Sequence, residues 1–236
     1  MNFNPDSKLM TFCGRLVDLT RINLLWLVCC LPVFTIGAST TAMLTALYAF
    51  RAGEPCGTKA FFGAFRKHFG KATALWLAVA FFAFVLGLDY YLVAYLDFPG
   101  RMAVIGVIFF FAFVLLFVME LIFPLLSQFP GRIRDLVVNA VLLSLSNLPK
   151  LLLVTAMNLL PGLLFLLLPQ VFLLLGFFWL ICGVALVALY DISVLERVFA
   201  PFRGQPEEYE EAPGSAEPGV LTLFRKIVLT QQAGKI

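Results

Sequence analysis

Between Lys71 and Asp97, residues 72–96 carry a single charged side chain, Asp89. A helix needs about 18 to 20 apolar residues to cross a bilayer. Lipid offers no partner to a free backbone group, so a run of this kind crosses as a helix unless it belongs to a closed barrel. Met102–Leu126 is a second run, broken only by Glu120 and ending near Pro124. Leu151–Leu168 and Val171–Tyr190 are two more, turning at Pro169-Gln170. With 61% hydrophobic and only 13% charged residues in 236, little polar sequence remains for a separate soluble domain. The expectation is an all-α polytopic transmembrane bundle of five to six membrane-embedded helices with interfacial amphipathic helices. Residues 1–200 would form the membrane-embedded domain. Residues 201–236, with Glu207, Glu208, Glu210, Glu211 and Glu217 among prolines, would form a flexible acidic cytoplasmic tail, with room for a short terminal helix at Val220–Val228.

The N-terminal apolar stretch is less regular. Phe12, Leu16 and Leu19 share a face, which predicts a short amphipathic surface helix within residues 1–21. Ile22–Ile36 and Ala38–Phe50 follow, each short for a span. Pro32 interrupts a helix and Gly37 permits a sharp turn. Other protein must then satisfy the freed backbone groups, so this broken-helix motif is expected to be buried against later spans. Ala38, Ala42 and Ala46 recur at i+4 and would allow close helix approach. Two readings stay open, a helical hairpin and one kinked span. Basic residues before and after the stretch favour the hairpin, because positive loops mark the cytoplasmic side. That places both termini in the cytoplasm of a multi-pass cell-membrane protein.

In Gly57–Lys71, Phe61, Phe62, Phe65 and Phe69 fall on one arc, with Lys59, Arg66, Lys67 and Lys71 opposite. The pattern predicts a helix lying in the interface, Phe in lipid and the cations toward anionic headgroups. The alternative is a docking surface for a partner. Arg132 and Arg134 add a second basic loop. Arg132, Asp135, Asn139, Ser146 and Lys150 then share one face of a predicted helix. Asn147-Leu148-Pro149 offers an N-cap and a first-turn proline. Tyr90, Tyr91 and Tyr95 form an outer aromatic belt.

Ionisable groups at membrane depth point to function by default. Asp89, Glu120 and Asp191 qualify, with Asn139 as a further intramembrane polar site. Asp89 lies near the outer end of its span and Glu120 near the inner end of its own, so these two do not work as a pair. Glu120 and Asp191 are expected to pair with Arg132, Arg134, Lys150 or Arg197 at the inner interface. Catalytic, cofactor and metal sites are not expected. His68 has no Cys or His partner at ligand spacing, the five cysteines include no C-x-x-C, and no phosphate-loop, serine-elbow or zinc-protease motif occurs. No basic-aromatic patch suggests nucleic acid.

Asn23-Leu24-Leu25-Trp26, Leu31-Pro32, Thr35-Ile36-Gly37-Ala38-Ser39-Thr40-Thr41-Ala42, Phe61-Phe62 with Phe65-Arg66 and Phe69, Phe123-Pro124-Leu125-Leu126, and Asn139-Ala140 with Asn147-Leu148-Pro149-Lys150 follow in this order. Together, over residues 10 to 200, they resemble the YesL family of bacterial membrane proteins, whose biochemical function is unassigned. Members of that family are often encoded beside carbohydrate ABC transporters and polysaccharide-degrading enzymes. The resemblance implies a non-enzymatic accessory role in carbohydrate uptake, with transporter subunits as partners. It supplies no ligand-binding residues. A small transporter or channel acting alone, as a homo-oligomer with Pro32–Gly37 lining its path, is the alternative.

Overall fold

The structure is a computed structural model that describes residues 8–203 except 55, 97 and 130. The acidic tail lies outside the described residues. Eight α-helices are found: α1 Lys8–Cys30, α2 Ile36–Ala52, α3 Thr58–Tyr95, α4 Arg101–Gln128, α5 Ile133–Ser146, α6 Leu148–Leu167, α7 Pro169–Phe178 and α8 Val184–Arg203. A 3-10 turn, Val33–Thr35, separates α1 from α2, and a π-helical segment, Trp179–Gly183, joins α7 to α8. There is no strand among the described residues. The expected all-α polytopic bundle is thus found. Five stretches are long and apolar enough to cross a membrane: Val33–Ala52, Thr58–Tyr95, Arg101–Gln128, Leu148–Leu167 and Gly176–Phe199.

One of the five differs from the rest. In Val33–Ala52, 61% of the apolar window is buried inside the protein, against 6% in Thr58–Tyr95 and 11% in Arg101–Gln128. α2 is therefore the core, and α3 and α4 turn their apolar sides outward. Small residues explain how α2 is enclosed. Ala38, Ser39 and Ala42 are fully buried, and Ala46 nearly so. A Cβ at Gly37 would stand 2.6 Å from both the Ala72 carbonyl oxygen and the Trp76 Cβ, so the missing side chain is what lets α3 close on α2. This corrects the expectation that Gly37 makes a sharp turn. It sits inside the first turn of α2, and the reversal precedes it.

The reversal itself settles the choice between hairpin and kinked span. Trp26 Nε1 donates to Thr40 Oγ1 at 3.2 Å. In a continuous helix those residues would stand about 21 Å apart along the axis. The chain turns back at Leu31–Thr35. Three of its carbonyls are within reach of side-chain donors. Thr35 Oγ1 donates to Cys29 O and Pro32 O, both at 2.6 Å, and Trp76 Nε1 donates to Val33 O at 2.8 Å. Burial begins only at Thr35, while Leu31, at 79% exposure, Val33 and Phe34 stand outside. The tip is an apolar point and is not the wholly buried break expected. At the other end of α2, Gly53 takes a left-handed φ of 75°, with its N–H on Phe50 O and the Glu54 N–H on Ala49 O, which closes the helix.

Three helix boundaries depart from the sequence reading. The surface helix expected within residues 1–21 is not separate from the stretch after it, since α1 runs from Lys8 to Cys30. The Gly57–Lys71 segment is not a separate interfacial helix. It forms the first turns of α3, which runs unbroken for 38 residues, about 57 Å. No proline or cap stops the helix at Lys71. Phe61, expected in lipid, is fully buried, whereas Phe62 and Phe69 are exposed. The stripe from Arg132 to Lys150 is divided at Asn147, which leaves helical geometry (φ −128°, ψ 33°), so Lys150 belongs to α6. Asn147 and Pro149 hold the cap and first-turn positions expected, although the Asn147 side chain makes no cap bond.

A second irregularity lies in the π segment. Asn23, fully buried, donates to Leu180 O at 2.7 Å and accepts from the Ala185 N–H at 3.0 Å. Its amide stands between a carbonyl and an N–H five residues apart, where a wider turn leaves an α-helical bond unmade. Gly183 leaves room for the Trp179 ring, which a Cβ there would strike. Replacing Asn23 with Leu would strand both backbone groups at about 1 to 3 kcal/mol each. Asn23→Leu is expected to lower unfolding stability by about 2 to 6 kcal/mol, measured by thermal or detergent unfolding of the purified chain.

Candidate functional site

α4, α6 and α8 meet α1 and α2 around a cavity of about 330 Å³. α4 brings Glu120 there, two turns before its C-terminus, and α8 brings Asp191. α6 supplies Thr155 and Asn158, which lie three residues apart and so share a helix face. Thr155 Oγ1 donates to Glu120 Oε2 at 2.8 Å. Asn158 Nδ2 donates to Asp191 Oδ2 at 3.0 Å and to Val154 O at 3.1 Å. Asp191 Oδ1 is buried without a hydrogen-bond partner. The rest of the wall is mostly apolar, with Trp26, Met43, Met119 and Phe123 prominent. A second, more open pocket of about 590 Å³ lies beside it, lined by Pro161, Phe165 and Trp179, and shares Asn158, Val184 and Val187 with the first.

This arrangement corrects the expected pairing of Glu120 and Asp191 with Arg132, Arg134, Lys150 or Arg197. No basic residue lines the cavity. Among the described residues, ion pairs join Arg21 to Asp18 at 3.7 Å and Arg51 to Glu196 at 2.8 Å. Lys150 Nζ reaches the Asn147 side chain instead, at 3.4 Å. The acids face neutral donors, both on α6. Sequence reasoning singled out both acids but did not bring them together. Thr155 and Trp26 were not recognised as site residues, although the i, i+3 polar pair on α6 was visible.

The other candidates fall elsewhere. Asp89 is exposed at the far end of α3, well away from Glu120. Asn139 is half-buried on α5, with its Oδ1 buried and unpartnered. Pro32 and Gly37 do not line this cavity. Lys71 Nζ donates to Gly131 O at 2.8 Å. That bond brings the basic start of α3 beside the α4–α5 loop, and Arg66, Lys67, Arg132 and Arg134 are all exposed there. Among the described residues, no group of three or more His, Cys, Asp or Glu is placed to hold a metal ion.

Residues 19–90 match the family model described as "Protein of unknown function, DUF624". The matched stretch covers α1 from Leu19, the reversal, α2 and most of α3, and so includes Asn23, Pro32 and Gly37. No curated protein and no solved structure matches the chain. The chain is thus a helical membrane-type protein similar, over its first hairpin and α3, to a family without an assigned function.

The cavity carries a stability consequence. A carboxylate in a mostly apolar wall with no cation opposite is costly, and a neutral isostere of equal shape removes that cost. Asp191→Asn keeps an oxygen for the Asn158 amide. It is expected to raise unfolding stability by about 1 to 3 kcal/mol, measured by thermal unfolding in detergent. A fall of that size would mean that the charge is paired in the native protein.

Proposed function

We propose that the chain is an integral protein of the cell membrane that serves as a non-enzymatic accessory component of carbohydrate uptake. Its charged end faces the cytoplasm and docks on transporter subunits. The resemblance of its motifs to the YesL family supports the carbohydrate setting. The observation that carries the docking reading is the Lys71–Gly131 bond, which gathers the exposed cations of α3 and of the α4–α5 loop onto one face.

Charge and contact support one orientation. Lys59, Arg66, Lys67, Lys71, Arg132 and Arg134 crowd one end, whereas Arg101 stands at the other. Positive loops stay in the cytoplasm. Val33 O meets Trp76, five residues past Lys71, so the α1–α2 tip reaches only about 7.5 Å into the apolar layer. The hairpin enters and leaves by the cytoplasmic face. α3, α4, α6 and the α7–α8 unit make the crossings, and both termini are cytoplasmic.

Cysteines test the orientation. Cys13 is exposed on α1, and Cys56 is buried in the α2–α3 loop. Burial, and secondarily the Asp18 carboxylate, push the Cys56 thiol up from its ordinary range. Only the thiolate reacts, so Cys56 holds less of it at neutral pH and its labelling should keep rising above the usual thiol pKa. A membrane-impermeant maleimide should label Cys13 in inside-out vesicles and not in intact cells, with Cys56 lagging until the pH is raised. Labelling of Cys13 in intact cells would reverse the topology.

Partnership is tested by purifying the tagged chain from its native membrane in mild detergent and identifying co-eluting proteins by mass spectrometry. Permease or ATPase subunits of a sugar transporter should be recovered above a matched membrane-protein control, and Arg66→Ala with Lys67→Ala should reduce their yield. Elution alone or as a homo-oligomer would overturn the accessory reading. The Glu120–Asp191 cavity favours a second reading, a small transporter. That reading requires solute flux in vesicles holding this chain alone, lost on Glu120→Gln.

A further inference from the structure

We infer that the cavity between α4, α6 and α8 is a binding site for a small protonated amine with an apolar body. Three features of the wall carry this. The first is charge: Glu120 and Asp191 both line the cavity and no basic side chain does. A cation inside would compensate carboxylates that the protein leaves without one.

The second is hydrogen bonding. Three neutral donors at the site are already used. Thr155 bonds Glu120, Asn158 bonds Asp191, and the Trp26 N–H bonds Thr40. Asp191 Oδ1 remains buried and unpartnered. A buried acceptor of this kind wants an N–H or O–H donor, and an ammonium group brings donors and positive charge together.

The third is the character of what surrounds the acids. An inorganic divalent cation takes six to eight oxygen ligands in the case of calcium, or keeps much of its water in the case of magnesium. The remaining wall here is apolar and aromatic, including the Trp26 and Phe123 rings and the Met43 and Met119 side chains. Such a wall suits an organic body, and ring faces attract its cationic head. At about 30 Å³ per water-sized unit, the 330 Å³ available admits a ligand on the order of ten heavy atoms.

The test uses the full chain in lipid nanodiscs and two probes of equal shape. 2-Phenylethylammonium carries charge and donors, and 2-phenylethanol keeps the ring and one hydroxyl without charge. Binding is read by titration calorimetry, with sodium chloride titrated separately. The ammonium probe is expected to bind at least about tenfold more tightly than the alcohol. Asp191→Asn should erase about that advantage, with Glu120→Gln weakening binding less, because the unpartnered oxygen belongs to Asp191. Equal binding of the two probes would make the cavity a plain apolar pocket and overturn the inference. So would the absence of ammonium binding up to millimolar concentration, or heat from sodium alone, which would mark an inorganic cation site. The comparison of probes on the unaltered chain needs no variant, so it decides the matter even if Asp191→Asn misfolds. Neither flux nor a partner is measured, so the result stands or falls apart from the accessory role.

Discussion

The structure depends on how backbone polar groups are answered where the helices break. In an apolar layer water cannot serve the carbonyls of a reversal or a widened turn. Two such places among the described residues draw on side chains from elsewhere in the chain. At Leu31–Thr35 the answers come from Thr35 and from Trp76 of α3. At Trp179–Gly183 they come from Asn23 of α1. Helices in lipid gain little from apolar contact with one another, because lipid tails are as apolar as leucine. Polar contacts and close backbone approach therefore decide which helices adhere. α1 bonds α8 through Asn23 and α2 through Trp26, and α2 admits α3 at Gly37. The N-terminal hairpin is the part that ties the other helices together.

The same hairpin shapes the site. Trp26 and Thr40 bond each other across the reversal and present themselves to the cavity. α4, α6 and α8 supply the rest of the wall. The two acids, on α4 and α8, are each held by one neutral bond from α6, and no basic side chain lines the cavity. A protein selected for stability alone would do better with apolar residues there. Their presence is a cost that a ligand would explain.

Much of the fold was legible because apolar length and proline or glycine punctuation carry direct physical meaning. The crossings, the turn at Pro169 and the return of the first hairpin follow from runs of residues and from the sign of loop charges. What was not legible turns on signals that periodicity lacks. Nothing in Gly57–Lys71 marks an end, so an amphipathic pattern looked like a separate surface helix when it was the start of α3. The stripe from Arg132 to Lys150 stays in phase across Asn147, so two helices read as one. An arc of four phenylalanines does not say which faces protein, and Phe61 does. Depth along a helix was readable for Glu120, but direction around the axis was not. Only the structure brings Glu120 and Asp191 to one cavity. Asn23 looked like part of a motif, and its partner lies 157 positions away.

The continuity of α3 has a mechanical consequence. A single rod about 57 Å long joins the basic end to the tyrosine-rich end, with α2 seated against it near Ala72 and Trp76. From that seat to the far tip is about 30 Å. A tilt of about 5° at the seat would carry the tip sideways by between about 2 and 3 Å, with no hinge along the way to absorb it. A displacement of the first turns would therefore be carried along α3 to the opposite end, where the Tyr90 ring rests on Phe109 of α4.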